Sequence, residues 1–267
     1  MRKLKMAAAA LLCLVMLCGT AFAGGFSGVI EDIMSTYTIT NFTCDSAPKQ
    51  CVNGAYRTVE LLEVIAYELN PKGSYTSAIE DVKSTYTITN FTCDSAPKQQ
   101  VNGTYRTVEM LEIIAKELDP EGVYADEIAK VMSTYTITNF TCDSAPKQCV
   151  NGMYRTVEML EIIAKKLDTE GNFADEIAEV MSTYTITNFT CDSAPKQCVN
   201  GSYRTVEMLE IIARELDTEG HYASAISDVM STFTITNFTC DSAPKQQVNG
   251  HYRTVEMLEI IGTILDK

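Results

Sequence analysis

Cysteines carry the clearest chemistry in this 267-residue chain, and they are regularly placed. Apart from Cys13 and Cys18, eight stand in a repeating context. Cys44/Cys51, Cys142/Cys149 and Cys191/Cys198 form Cys-x6-Cys pairs, while Cys93 and Cys240 have Gln100 and Gln247 in the second place. In an oxidising compartment that spacing within a loop predicts three local disulfides. Closing so short a ring restrains the unfolded chain by about 2.5 kcal/mol per bridge. The Cys-x2-Cys knuckle of a zinc site is missing, and no histidine recurs with the cysteines, so no metal or cofactor is expected.

The remaining reactive residues are sparse. His221 and His251 each occur once, at positions where other units carry Val123 and Asn172, or Thr104 and Ser202. They read as surface substitutions, and a single enzymatic or small-ligand site built from such singular residues is the alternative. There is no nucleophile elbow, zinc-binding histidine pair or phosphate-binding glycine loop, so no catalytic residue is assigned. The runs Asp168–Gly171 and Asp217–Gly220 lack the alternating acids of a calcium loop and read as helix ends. Asn41, Asn90, Asn139, Asn188 and Asn237 sit in Asn-x-Thr triplets, which would be idle in a bacterial host.

These residues are set out on a constant period of 49. The stretch Ser182–Gln197 recurs from Ser35, Ser84, Ser133 and Ser231, and Phe233 is the single change, standing for Tyr37, Tyr86, Tyr135 and Tyr184. A period of this size marks a stacked array. The unit boundaries are 27–75, 76–124, 125–173, 174–222 and 223–267.

Each unit reads as helix, strand with disulfide loop, then helix. At the start of unit four Ile177, Val180, Met181 and Tyr184 share one helical face with Phe173, the last residue of unit three. The β-branched run that follows favours an extended strand. Alternation places its threonines together as a candidate binding surface: Thr36, Thr38, Thr40; Thr85, Thr87, Thr89; Thr134, Thr136, Thr138; Thr183, Thr185, Thr187; and Thr232, Thr234, Thr236. The same face serves equally as a seam between units. Turns are expected at Asp192–Pro195 and Asn200-Gly201. A second helix then runs from Thr205, as its N-cap, to Leu216. Its polar stripe is only Glu207, Glu210 and Arg214, so it must be buried on several sides. Neighbouring units supply that cover, which predicts an α-rich solenoid with short β segments. Unit five lacks a polar cap, since Gly262, Thr263 and Ile264 replace Ala213, Arg214 and Glu215. That end is expected to pack on another chain, or else to be covered by the chain's own segment around Phe26 and Ile30.

Arg2, Lys3 and Lys5, the apolar run Ala7–Cys18 and the small residues Ala21 and Ala23 describe an export signal over 1–23, leaving one array over 24–267. Export in bacterial style, to the periplasm or beyond, follows. Taking those three from 21 basic residues leaves 18 against 35 acidic ones, a net charge of −17. That field excludes nucleic acid as a partner. No later segment is long and apolar enough to span a bilayer. Cys198, Asn200, Gly201, Thr205 and the helix to Leu216 resemble the Cys-loop-Thr-helix section of small periplasmic immunity proteins of bacterial type VI secretion. Those are single disulfide-bonded helical domains, so the resemblance does not extend to a five-unit array or carry function over. The threonine stretch is almost unchanged between units while the first helix varies, against the usual rule for loops. The expectation is a non-enzymatic scaffold or envelope component that binds a protein partner or its own copies. A self-assembling structural polymer is a further alternative.

Overall fold

A computed structural model describes residues 27–36, 47–85, 96–134, 145–183, 194–232 and 243–265. Short and long helices alternate along them. The short ones are α1 (Ser27–Thr36), α3 (Thr76–Thr85), α5 (Ala125–Thr134), α7 (Ala174–Thr183) and α9 (Ala223–Thr232). The long ones are α2 (Ala47–Leu69), α4 (Ala96–Leu118), α6 (Ala145–Leu167), α8 (Ala194–Leu216) and α10 (Ala243–Leu265). Among the described residues there is no strand. Thr36, Thr85, Thr134, Thr183 and Thr232 close the short helices instead of opening strands. The other threonines of the candidate surface lie outside the described residues.

The long helices start eleven residues earlier than Thr205 predicts. Pro48, Pro97, Pro146, Pro195 and Pro244 sit in their first turn, where a missing N–H costs nothing. Thr205 is therefore not a cap. It lies in mid-helix, and its hydroxyl donates to the Gly201 carbonyl at 2.9 Å. The expected Asn200-Gly201 turn is helical too. Glycine there costs about 1 kcal/mol of propensity, and packing overrides that cost. Positions 51, 55, 58, 62, 65 and 69 of α2 alternate steps of four and three, the 3.5-residue seam of a coiled coil.

The seam explains the architecture. Consecutive long helices pack side by side, α2 on α4, α4 on α6, α6 on α8 and α8 on α10, and α10 returns to pack as extensively on α2. The array is thus a closed five-helix ring and not an open solenoid. Equivalent residues of all five helices meet at the same height, as Leu62, Leu111, Leu160, Leu209 and Leu258 do around one axial cavity. The long helices therefore run parallel. At the corner of a pentagon each helix touches two neighbours, so its apolar stripe must be wider than in a two-stranded coil. Val59, Leu61 and Ala66 beside the seam supply that width and are buried, as are their counterparts in other units.

Each short helix seats in the outer groove between two long ones, α3 on α2 and α4, α5 on α4 and α6, and so on. Ile79, Ile128, Ile177 and Ile226 anchor them, all essentially inaccessible to solvent. In the last groove, between α10 and α2, lies α1. A Cβ at Gly262 would stand 3.1 Å from Ile30 Cδ1, where other units carry Ala66, Ala115, Ala164 and Ala213. The end of unit five is thus covered by the chain's own Ile30. Phe26 lies outside the described residues.

The turns after the long helices read correctly as helix ends. Gly122, Gly171 and Gly220 have φ near 72°, the left-handed turn that suits glycine. The Asp119 carboxylate accepts the Val123 N–H at 3.0 Å and the Tyr124 N–H at 2.7 Å, so it caps the following short helix. Asp168 and Asp217 do the same. Burial would raise Asp119, but the Tyr124 N–H, the Lys166 ammonium and the Val123 N–H outweigh it and hold it below the usual carboxylate range. Lys166 of α6 reaches this turn of the preceding unit, 3.0 Å from Asp119 and 3.1 Å from Glu121. In α8 the equivalent Glu215 is pushed up by burial and by Asp168 and Glu170. Arg214 bonds chiefly to Glu176 of α7 at 2.6 Å, and the expected pair with Glu210 is long, at 3.9 Å.

Two outcomes follow. Light scattering across a concentration series should find no assembly through unit five, and Ile30→Ala should cost about 2–5 kcal/mol in denaturant unfolding. Glu215→Lys should recreate the Lys166 contact and add about 1 kcal/mol, seen as a rise of about 2–4 °C in the melting temperature.

Candidate functional site

The ring encloses an axial lumen built in six layers. Reading from the helix N-termini, the first holds Cys51, Gln100, Cys149, Cys198 and Gln247. The second holds Ala55, Thr104, Met153, Ser202 and His251. All ten are at least nine-tenths buried. Below them Thr58, Thr107, Thr156, Thr205 and Thr254 form a threonine layer, each hydroxyl donating to the glycine carbonyl four residues back at 2.9–3.0 Å. That layer spends its donors on its own backbone. The last three layers are Leu62, Ile65 and Leu69 with their equivalents, which line an apolar cavity of about 40 Å³.

Polar chemistry is therefore confined to the first two layers. The Gln247 amide approaches the Cys149 sulfur across the ring at 3.9 Å. The Cys198 thiol donates to Cys149, and this bond, with the Thr104 hydroxyl and Gln247 amide alongside, outweighs burial and draws the Cys149 thiol below its usual range. Cys198, as donor and by burial, is pushed up. Cys51 is pushed up by burial and by Cys149 across the lumen. Burial lowers the His251 imidazole to about 4, so it is neutral near pH 7. Its Nε2, the Ser202 Oγ and the Gln100 Nε2 are buried without a partner. Each is an orphan in a place where buried polar atoms are normally paired.

Several expectations change on this geometry. His251 is not a surface substitution but a lumenal residue, because position 251 falls on the inner seam. His221 is on the surface as expected, with Nε2 3.5 Å from Glu219. Cys51, Cys149 and Cys198 converge on the axis as thiols. Their expected partners Cys44, Cys142 and Cys191, like Cys93 and Cys240, lie outside the described residues. The sequence marks Gln100 and Gln247 only as replacing the second cysteine and Ser202 only as a counterpart of His251, and the four-three spacing is what places them, with Met153, on the lumen. Among the described residues no three His, Cys, Asp or Glu side chains stand together as a ready ligand set. None of the described helices is long and apolar enough to cross a membrane.

A second feature repeats on the outside. Arg57 bonds to Glu60 and lies over the Tyr56 ring at 5.2 Å. The same trio recurs at Tyr105/Arg106/Glu109, Tyr154/Arg155/Glu158, Tyr203/Arg204/Glu207 and Tyr252/Arg253/Glu256. In all five the guanidinium Nε is buried and unpartnered.

No family model matches the chain, and comparisons with curated proteins and with solved structures likewise return no match.

Glu117 of α4 is the equivalent of Lys166 and Glu215. Glu117, next to Leu118, has neither carboxylate oxygen paired, and burial raises it to about 8. A carboxyl raised in the folded state stabilises fully below its unfolded value and loses that contribution as pH rises through the folded one. Glu117→Gln should accordingly raise the melting temperature at pH 8.5 and leave it nearly unchanged at pH 4. An equal gain at both values would show that Glu117 is not protonated in the fold.

Proposed function

We propose that this protein is an exported, non-catalytic scaffold that binds protein partners through a surface displayed five times around a closed ring. The observation that carries the reading is ring closure itself. It sets five near-identical units at equal intervals about one axis, with the Tyr56/Arg57/Glu60 trio and its copies facing outward. Five weak contacts to a repetitive or multimeric partner then act together, and linked binding raises affinity by about 10²–10⁴ without any new contact. In this reading Thr38, Thr87, Thr136, Thr185 and Thr234 belong to the repeated contact surface. The near-invariance of the Thr-rich stretch, beside short helices that vary freely, supports it. Local bridges from Cys44, Cys142 and Cys191 would stiffen the same stretch if they form.

Graded substitution tests this. Thr→Ala at position 38 and its four equivalents is introduced in one, three or five units, and capture of envelope proteins on the immobilised ring is quantified by mass spectrometry. Capture should fall steeply with the number of altered units while helix content stays constant. Undiminished capture by the five-unit variant overturns the scaffold reading. Loss of thermal stability in step with substitution identifies the stretch as a seam between units.

A further inference from the structure

The two upper layers of the lumen are unlike the rest. The four lower layers are the same residue in all five units, Thr, Leu, Ile and Leu in turn. The upper two contain Cys, Gln, Cys, Cys, Gln and then Ala, Thr, Met, Ser, His. Sequence variation inside the lumen is thus confined to the place where sulfur and nitrogen donors collect. Three thiols, one thioether and one neutral imidazole there make a donor set of soft type, which selects Cu(I) over harder ions.

We propose that Cys149 and Cys198 bind one cuprous ion in this chamber, with Cys51 across the lumen and His251 and Met153 one turn below as auxiliary donors. The two principal ligands come from adjacent helices, α6 and α8, and pack in one buried cluster with Val101 and Val150. A monovalent d¹⁰ ion accepts two thiolates in a near-linear arrangement, so the site needs no preformed set of three or four ligands. A structural zinc ion does need four. Loading is an exchange of protons for metal. Each coordinating thiol forms a bond to copper and gives its proton to solvent, and no electron changes hands because the ion arrives as Cu(I).

Charge favours the product. Two thiolates around Cu(I) carry one net negative charge, and the first two layers contain no lysine or arginine. All five long helices are parallel, however, and the thiol layer lies one turn inside their N-termini. Each N-terminus contributes a partial positive charge of about half a unit, the setting that lowers thiol pKa elsewhere. The Gln247 amide aimed at Cys149 adds a donor to the same sulfur. The unpartnered Nε2 of His251 is the independent sign of a missing occupant, since a buried imidazole is ordinarily bonded. Local disulfides compete for the same sulfurs. Yet Cys93 and Cys240 persist where the second position is Gln, so the first-place cysteine is kept even where it has no local bridge to make.

The test uses the full chain, purified under argon and titrated against Cu(I) held by bicinchoninate. One equivalent should leave the chelator. The double variant Cys149→Ala/Cys198→Ala should lose at least about 100-fold in affinity, and Cys51→Ala or His251→Ala about tenfold. Cys44→Ala, Cys142→Ala and Cys191→Ala should bind as the unaltered chain does. Failure to draw copper from the chelator overturns the proposal. So does unchanged binding by the double variant, which would place copper on the other cysteines, or tighter binding of Zn(II) than of Cu(I). Peptide mapping that finds Cys142–Cys149 or Cys191–Cys198 bridged in the exported protein overturns it as well, leaving the two layers as packing alone. If the double variant does not fold, X-ray absorption of the loaded chain decides: a shell dominated by sulfur is expected, and one of oxygen and nitrogen overturns the assignment. None of these outcomes depends on the scaffold reading.

Discussion

Everything in this structure depends on the lateral contact between neighbouring long helices. Each has so little polar circumference that it cannot stand at an edge. Met110 and Leu111 on successive positions are both buried, as are Ile113, Ile114 and Ala115. A row of such helices always has two unsatisfied ends unless the ends meet. Bringing the last helix to the first removes both edges at once, much as closure removes the edges of a β-barrel. The cost of a terminal cap, which open repeat arrays must meet with polar residues, does not arise. Gly262 against Ile30 marks the place where the seam is drawn tight.

Parallel orientation imposes a second constraint. After descending one long helix the chain must climb back outside the ring before the next can start. The turn capped by Asp119, Asp168 or Asp217 and the short helix in the outer groove make part of that return, and the Thr-rich stretch connects it to the next long helix. The return has an electrostatic consequence. It gathers five helix N-termini at one mouth of the lumen and five C-termini at the other. The two ends of one cavity are therefore chemically different before any side chain is chosen. Thiols and amides stand at the positive end, leucines at the other.

The sequence disclosed the period, the helical class and the end of each long helix, because repeats, apolar breadth and a glycine stop are local signals. It misled where local and tertiary preferences conflict. Asn200-Gly201 carries the strongest turn signal in the unit and Thr205 a good N-cap type, and both lie inside α8. Helix propensity lost there is repaid by burying Val199 and Cys198 on the inner faces, a term that only the assembled ring supplies. A helix that starts at Thr205 leaves out two of the six seam positions, and with them the common face of positions 51 and 55. His251 then looked like a tolerated surface change. Closure itself had a legible trace in the replacement of Ala213 by Gly262, but a glycine that admits a neighbour does not say whose neighbour it is.

The remaining question is why one chain should build a ring that five separate copies could also form. A ring of identical subunits must repeat every lumenal residue five times. Five imidazoles or five thioethers in one narrow layer would overfill it, and five thiols could not be interrupted by glutamine. Linking the units in tandem removes that restriction. Ala55 and Ser202 leave room that Met153 and His251 fill, so a layer of mixed sizes packs where a uniform one would not. The same freedom lets a singular donor stand once on the axis. The outer face keeps its five-fold repetition through the Tyr56/Arg57/Glu60 trio and its copies, while the upper lumen gives it up. Repetition outside and singularity inside are separable properties of a covalently continuous ring, and this chain uses each where its geometry permits.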